Sequence, residues 1–179
     1  KPKKGKIVKI PHDSELYFKE DKINISYDNL RNLSKPYNYK LSDGYYVGDH
    51  SGAHFFTVGQ RKGLAVGGTK DPLFVLKTDV DQNIIYVGEG NKHPGLFRNT
   101  LYISSDDLHL IREDIFLNKK HSFKVKARIR YRQPLQDALV IFADNGVFLI
   151  FNKKQSAITK GQFAVWYLGN ELVGSGVIS

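Results

Sequence analysis

The sequence predicts a mainly β protein, a small central β-rich domain followed by a C-terminal antiparallel β-barrel, and three observations carry that reading. Leu73 to Thr78 and Ile84 to Val87 are nearly continuous apolar runs flanking the turn-forming Asp79, Val80, Asp81, Gln82 and Asn83, which is a hairpin pattern. Ala138 to Ala143 and Val147 to Phe151 flank Asp144, Asn145 and Gly146, where Asn-Gly is expected to supply the left-handed residues of a tight turn. Between Lys119 and Arg132 lie seven basic side chains and no acidic one, and Lys124, Lys126, Arg128, Arg130 and Arg132 fall on every second residue. Alternate residues of a strand share a face. A strand there would put five cations on one side and Phe123, Val125, Ala127, Ile129 and Tyr131 on the other.

The remaining elements follow in order. A strand is expected at Gly5 to Ile10, then a polar, Tyr/Asn/Lys-rich stretch from His12 to Lys40, then a glycine-punctuated segment from Gly44 to Gly68, with only one or two short helical turns in the first 97 residues. A Pro-Gly turn near Pro94 to Asn99 separates the halves, giving domains at 1–97 and 98–179. Strands at Phe163 to Tyr167 and Leu172 to Ile178, the latter broken by Gly174 and Gly176, bring the second half to about five strands at barrel-like spacing. No internal repeat, low-complexity tract or heptad pattern is expected.

With 179 residues, 41% of them apolar, the chain can bury a real core. Its net charge is +9, of which residues 1–97 carry +4 (15 basic less 11 acidic) and residues 98–179 carry +5 (12 less 7). That balance favours an anionic partner, nucleic acid or a membrane surface. No stretch reaches the ~18 apolar residues of a membrane span. After Lys1, Lys3, Lys4 and Lys6 the apolar run is only Ile7, Val8 and Ile10, too short for a signal peptide. No membrane partner and a cytoplasmic location are therefore expected. The chain has no cysteine, so disulfides and a cysteine nucleophile are excluded within it. It also has no methionine, from which a fragment or trimmed product is expected.

Several motifs fall short of catalytic patterns. In Gly63-Leu64-Ala65-Val66-Gly67-Gly68-Thr69-Lys70 the Thr precedes the Lys, the reverse of a phosphate loop. His50 and His54 are separated by Ser51-Gly52, which disfavours a helical metal pair. Asp49, His50 and Ser51 include triad residue types without a nucleophile elbow. Asp106-Asp107 and Glu113-Asp114 resemble ordinary turn acids. No catalytic residue and no metal ligand is nominated.

Two loops rise above this background. Gly59-Gln60-Arg61-Lys62-Gly63 sets an amide and two cations between glycines, where backbone can approach a phosphate closely. Thr159-Lys160-Gly161-Gln162 presents Gln162 at the start of a strand, where an amide can hydrogen-bond a base or ribose. Together with the basic strand these give the candidate contacts: Gln60, Arg61, Lys62, Lys124, Lys126, Arg128, Arg130, Tyr131, Arg132 and Gln162. A single-sign stripe of this kind is the footprint of a polyanion partner, although acids on a neighbouring strand would make it an ordinary solvated face.

One family shares these pieces in order. Gly59 to Leu64, Gly67-Gly68, His93-Pro94, Leu108-His109, Arg130-Tyr131-Arg132-Gln133, Thr159, Gly161-Gln162, Ala164-Val165 and the closing Gly174, Gly176, Val177 and Ile178 resemble the C-terminal, non-catalytic part of the tRNA-specific 2-thiouridylases. The resemblance implies an absent N-terminal PP-loop domain that binds ATP with Mg and adenylates the wobble uridine, with two cysteines that relay sulfur. It implies that this chain grips tRNA without being an enzyme by itself, with tRNA contacts at Arg130, Tyr131 and Gln162 and with a sulfur-carrier protein as a partner of the parent. DNA is not an expected partner. Lys160 replaces the usual proline, Ser175 interrupts the usual glycine triplet, and residues about 12–43 look like an insertion. Two other readings stand beside this one: a free-standing RNA-binding barrel, and a barrel that docks a sulfur carrier.

Overall fold

The computed structural model describes residues 3–18, 26–114 and 122–179, and these divide into two compact units. The first comprises residues 3–18 and 37–97, and the second comprises 26–36, 98–114 and 122–179. Lys119, Lys120 and His121, at the start of the expected basic strand, lie outside the described residues.

The first unit is a four-stranded sheet of β1 (Gly5–Lys9), β2 (Tyr45–His50), β3 (Leu73–Asp79) and β4 (Ile84–Glu89) in the order β2-β1-β4-β3. β1 pairs antiparallel with β2 and parallel with β4, so the two central strands are buried on both faces. One face packs Ile7, Val75, Ile85 and Val87; the other packs Val8, Leu76, Ile84 and Tyr86. That two-sided burial is why the hairpin strands read as apolar runs rather than as alternation. Asn83 takes the left-handed backbone of the β3–β4 turn at φ 55°, a conformation Asn tolerates. Its side chain accepts from Ala53 N at 2.9 Å and donates to the carbonyls of Lys3 and Lys4. Strand β2 falls in the glycine-punctuated segment, for which the sequence names no strand; its partly exposed Tyr45-Tyr46-Val47-Gly48 pattern hides the period of two.

The second unit holds β5 (Phe97–Ser104), β6 (Leu108–Leu110), β7 (Ser122–Arg128), β8 (Gln136–Ala143), β9 (Gly146–Ser156), β10 (Phe163–Leu168) and β11 (Glu171–Val177). They form one curled sheet in the order β5-β9-β8-β7-β10-β11-β6. Just beyond β11, Ser179 N donates to Tyr102 O at 3.1 Å and Ser179 Oγ accepts from Ser104 N at 3.1 Å, tying the chain end to β5. The inner face packs Leu101, Val125, Ala127, Val140, Leu149 and Trp166. Seven strands rather than about five are present, because β5 and the short β6 carry polar residues that interrupt their patterns.

Part of the expected insertion forms α1 (Tyr27–Ser34), an eight-residue helix of the second unit. Its Leu30 packs with Tyr102, Ile141 and Phe148 on the sheet's outer face. Arg31 lies over the Tyr102 ring at 4.1 Å, and Arg98 donates to Ser34 O. The insertion thus covers apolar sheet surface.

Two expectations need correction. The left-handed pair expected at Asn145-Gly146 is not formed: Gly146 alone has positive φ, at 151°. A Cβ there would lie 2.1 Å from Ile103 O, so the glycine serves the close approach of β5. The basic strand also stops at Arg128. Gln133 Oε1 accepts from Ile129 N at 3.1 Å and Gln133 N donates to Arg130 O at 3.1 Å. This side-chain capture, ahead of Pro134, diverts the backbone into a turn. Lys124, Lys126 and Arg128 therefore share a strand face, while Arg130, Tyr131 and Arg132 sit on the turn.

Candidate nucleic-acid interface

In the second unit the turn after β7 meets the loop between β9 and β10. Arg130 Nη2 donates to Ser156 O and, at 3.1 Å, to Ala157 O. Gln162 Nε2 reaches the same Ala157 carbonyl at 3.3 Å, and Thr159 Oγ1 reaches it at 3.1 Å. Ala157 has φ 50°, a left-handed backbone that costs about 1 kcal/mol for a residue with a Cβ. Three donors on its carbonyl offset that strain. Arg130 and Gln162, distant in sequence, are thereby brought to one point.

Tyr131 projects from the turn at 88% exposure. Strict alternation would have sent it into the core, and the turn frees it. Arg128 holds the turn from the strand: its Nη1 donates to Tyr131 O at 3.1 Å, and its guanidinium lies 5.7 Å from the Tyr131 ring centroid and 6.0 Å from that of Tyr167. Gln133 also donates to Gln155, which is buried.

The stripe is only partly neutralised. Lys126 pairs with Asp137 on β8 at 2.7 Å, as a mixed sheet face would have it. Among the described residues no acidic side chain pairs with Lys124, Arg128, Arg130, Arg132 or Lys160. A surface with more cations than acids surrounds an exposed tyrosine, which suits phosphate neutralisation beside base stacking.

Gln60, Arg61 and Lys62 belong to the first unit. Gln60 Oε1 accepts from Thr57 N at 3.1 Å and Nε2 donates to Lys62 O at 2.9 Å, so the amide is spent on shaping its own loop. Arg61 and Lys62 remain exposed. Arg61 lines a cleft of about 410 Å³ with His12, Asp71, Glu89, Lys92 and His93.

The two loops share a pattern too short to stand out as a repeat. Thr57-Val58-Gly59-Gln60 and Thr159-Lys160-Gly161-Gln162 make the same turn. Each Gln side chain accepts from the Thr N–H at 3.1 Å, and each Gly has φ between 85° and 87°. Each also docks through paired backbone bonds, Gly59 and Gln60 to Val75 of β3, Gly161 and Gln162 to Ile178 just beyond β11. Lys160 occupies an exposed position of this turn, directly before the positive-φ Gly161.

His50, His54 and His93 make contacts within the fold. His50 is buried, its Nδ1 accepts from Gly52 N at 2.9 Å, and burial lowers its pKa. His54 stacks on Phe55 with ring centroids 4.0 Å apart. His93, also lowered by burial, accepts from Gly95 N and faces Ile10 O with Nε2, fixing the His-Pro turn. Among the described residues no cluster of three or more His, Asp or Glu could hold a metal ion, and no helix is long and apolar enough to cross a membrane.

Two family descriptions match the chain: the tRNA methyl transferase PRC-barrel domain over residues 35–89 and the aminomethyltransferase beta-barrel domain over residues 100–178. Among curated relatives, the tRNA-specific 2-thiouridylase MnmA of Christiangramia forsetii is 52% identical over 181 residues, covering 100% of this chain and 46% of its own length. The protein of the same name from Flavobacterium johnsoniae is 51% identical over 179 residues, covering 99% of this chain and 45% of its own length. That from Karelsulcia muelleri is 41% identical over 178 residues, with 99% and 44% covered. The chain spans about half the length of the curated relatives it matches.

Proposed function

Since the chain belongs to the tRNA-specific 2-thiouridylase family, corresponding to its central and C-terminal domains, we propose that it is the tRNA-gripping portion of an ATP-dependent enzyme that thiolates the wobble uridine at C2. The observation that carries this reading is the convergence of Arg130 and Gln162 on Ala157 beside the exposed Tyr131, on a surface where Lys126 alone of the stripe has an acidic partner among the described residues. Arg130 and Arg132 neutralise phosphates, Tyr131 stacks on a base or packs on ribose, and Gln162 holds the loop that positions Arg130. In the first unit, Arg61 and Lys62 add phosphate contacts. The sulfur-carrier partner and the cytoplasmic location belong to the same proposal.

The glycine-rich turn ending at Lys70 leads into β3 rather than a helix whose N-terminus would receive phosphates, so no step of the chemistry is routed through it. The division of labour predicts that these 179 residues alone produce no thiouridine, since no cysteine is present to carry sulfur. Mass spectrometry of tRNA incubated with the chain, ATP and a sulfide source checks this, and any product would contradict it.

Binding is expected to be electrostatic. Affinity for tRNA should fall as salt rises, through release of counterions. Replacing Lys124 and Arg128 together by alanine should lower the slope of log affinity against log salt by about one unit for each phosphate no longer neutralised. An unchanged slope would reduce the stripe to a solvated face.

A further inference from the structure

Phe163 opens β10 one residue after Gln162, yet its ring is 65% exposed. Along β10 the inward residues are Ala164 and Trp166, both fully buried, so Phe163, Val165 and Tyr167 point outward together. Val165 pairs directly with Arg128 on β7. That register makes Phe163 and Tyr167 the two diagonal neighbours of Arg128, at roughly 7–8 Å. Arg128 in turn lies about 6 Å from the rings of both Tyr131 and Tyr167. Arg128 thus has the rings of Tyr131 and Tyr167 close by and Phe163 at its remaining diagonal position, on a face where Lys126 pairs with Asp137 while Lys124, Arg130, Arg132 and Lys160 have no acidic partner among the described residues.

A sheet face combining aromatic rings with uncompensated cations matches an unpaired, splayed nucleotide: the rings take base faces and the cations take the flanking phosphates. A duplex offers no free base face, and an apolar protein partner gains nothing from the cations. We infer that Phe163 is a base-stacking residue, on which an unpaired nucleotide of the bound RNA lies beside the Arg128–Tyr131 turn. This rests on the RNA-binding reading above and adds to it a preference for single-stranded segments and a residue that carries that preference.

Binding of the chain and its variants to a hairpin RNA with an unpaired loop and to a fully paired duplex of matched length tests this. Phe163→Ala should weaken hairpin binding about tenfold, within the range that stacking on one aromatic supports, and leave duplex binding within twofold. Phe163→Tyr should retain hairpin affinity, whereas Phe163→Leu, apolar but without a stacking ring, should lose most of it. With 2-aminopurine in the loop, fluorescence should be quenched by the wild type and Phe163→Tyr but not by Phe163→Leu. Equal effects of Phe163→Ala on both RNAs, or no effect on either, would overturn the stacking role while leaving RNA binding standing. A wild-type chain that binds neither RNA would sink the reading beneath it. An acidic peptide that competes for the chain with the same dependence on Phe163 would assign the face to a protein instead.

Discussion

Arg130→Lys is expected to weaken tRNA binding about thirtyfold, although it preserves the charge. Arg130 does two things at once: one end of its fork bonds Ser156 O and Ala157 O, and the rest faces outward from the turn. A guanidinium can do both because its donors are planar and fixed; an ammonium is a single point charge. Lysine would either leave the Ala157 carbonyl short of a donor or withdraw from the phosphate. Losing one hydrogen bond to a charged group costs about 2 kcal/mol, which is the thirtyfold. Filter binding of tRNA checks it, with Arg130→Ala expected to be at least as damaging. Retained affinity in Arg130→Lys would show that only the charge matters. Tyr131→Phe separates stacking from hydroxyl bonding: stacking keeps most of the affinity, and loss of a bonded hydroxyl removes about 1 kcal/mol.

Gly174→Ala should destabilise the second unit by about 3 kcal/mol. Gly174 pairs with Trp166 across β10 and β11, and a Cβ there would lie 2.5 Å from Cε2 and Cζ2 of the indole. Trp166 is completely buried in the core and has no room to retreat, and overpacking of a tight core costs in this range. Chemical denaturation followed by tryptophan fluorescence measures it, Trp166 being the only tryptophan. The cause is checked in a Trp166→Leu background, by circular dichroism: with the ring gone, Gly174→Ala should cost much less. Equal costs in both backgrounds would refute the steric account.

That pair also shows what the sequence could reveal. Gly174 and Gly176 were legible as residues of the family resemblance, and the structure supplies their reason: one lies under Trp166 and the other within 2.5 Å of Ile103 Cγ2 through a would-be Cβ. Ser175 between them is on the outer side, where a side chain is tolerated. The stripe of Lys124, Lys126 and Arg128 was legible because period-two spacing is local. That the strand ends around Arg130 to Gln133, ahead of Pro134, was legible from the proline; the capture of Ile129 N by the Gln133 side chain, which fixes the stop at Arg128, was not, because no propensity encodes it. The left-handed Ala157, on which Arg130 and Gln162 converge, was hidden for a similar reason, since alanine gives no turn signal. Phe163 reads as the first core residue of a strand, and only the burial of Ala164 and Trp166 shows that it faces outward. The helix α1 was obscured by its own polar sequence, within which Leu30 is the buried apolar residue.

The claim that the turn after β7 and the start of β10 form one tRNA-gripping surface is tested most directly by ultraviolet crosslinking of the chain to tRNA, with adducts located by mass spectrometry. The account predicts adducts on Tyr131 and on the peptide carrying Gln162 and Phe163, abolished together in Arg130→Ala and suppressed by high salt. Adducts that fall elsewhere on the chain, with none on either of these peptides, would contradict it.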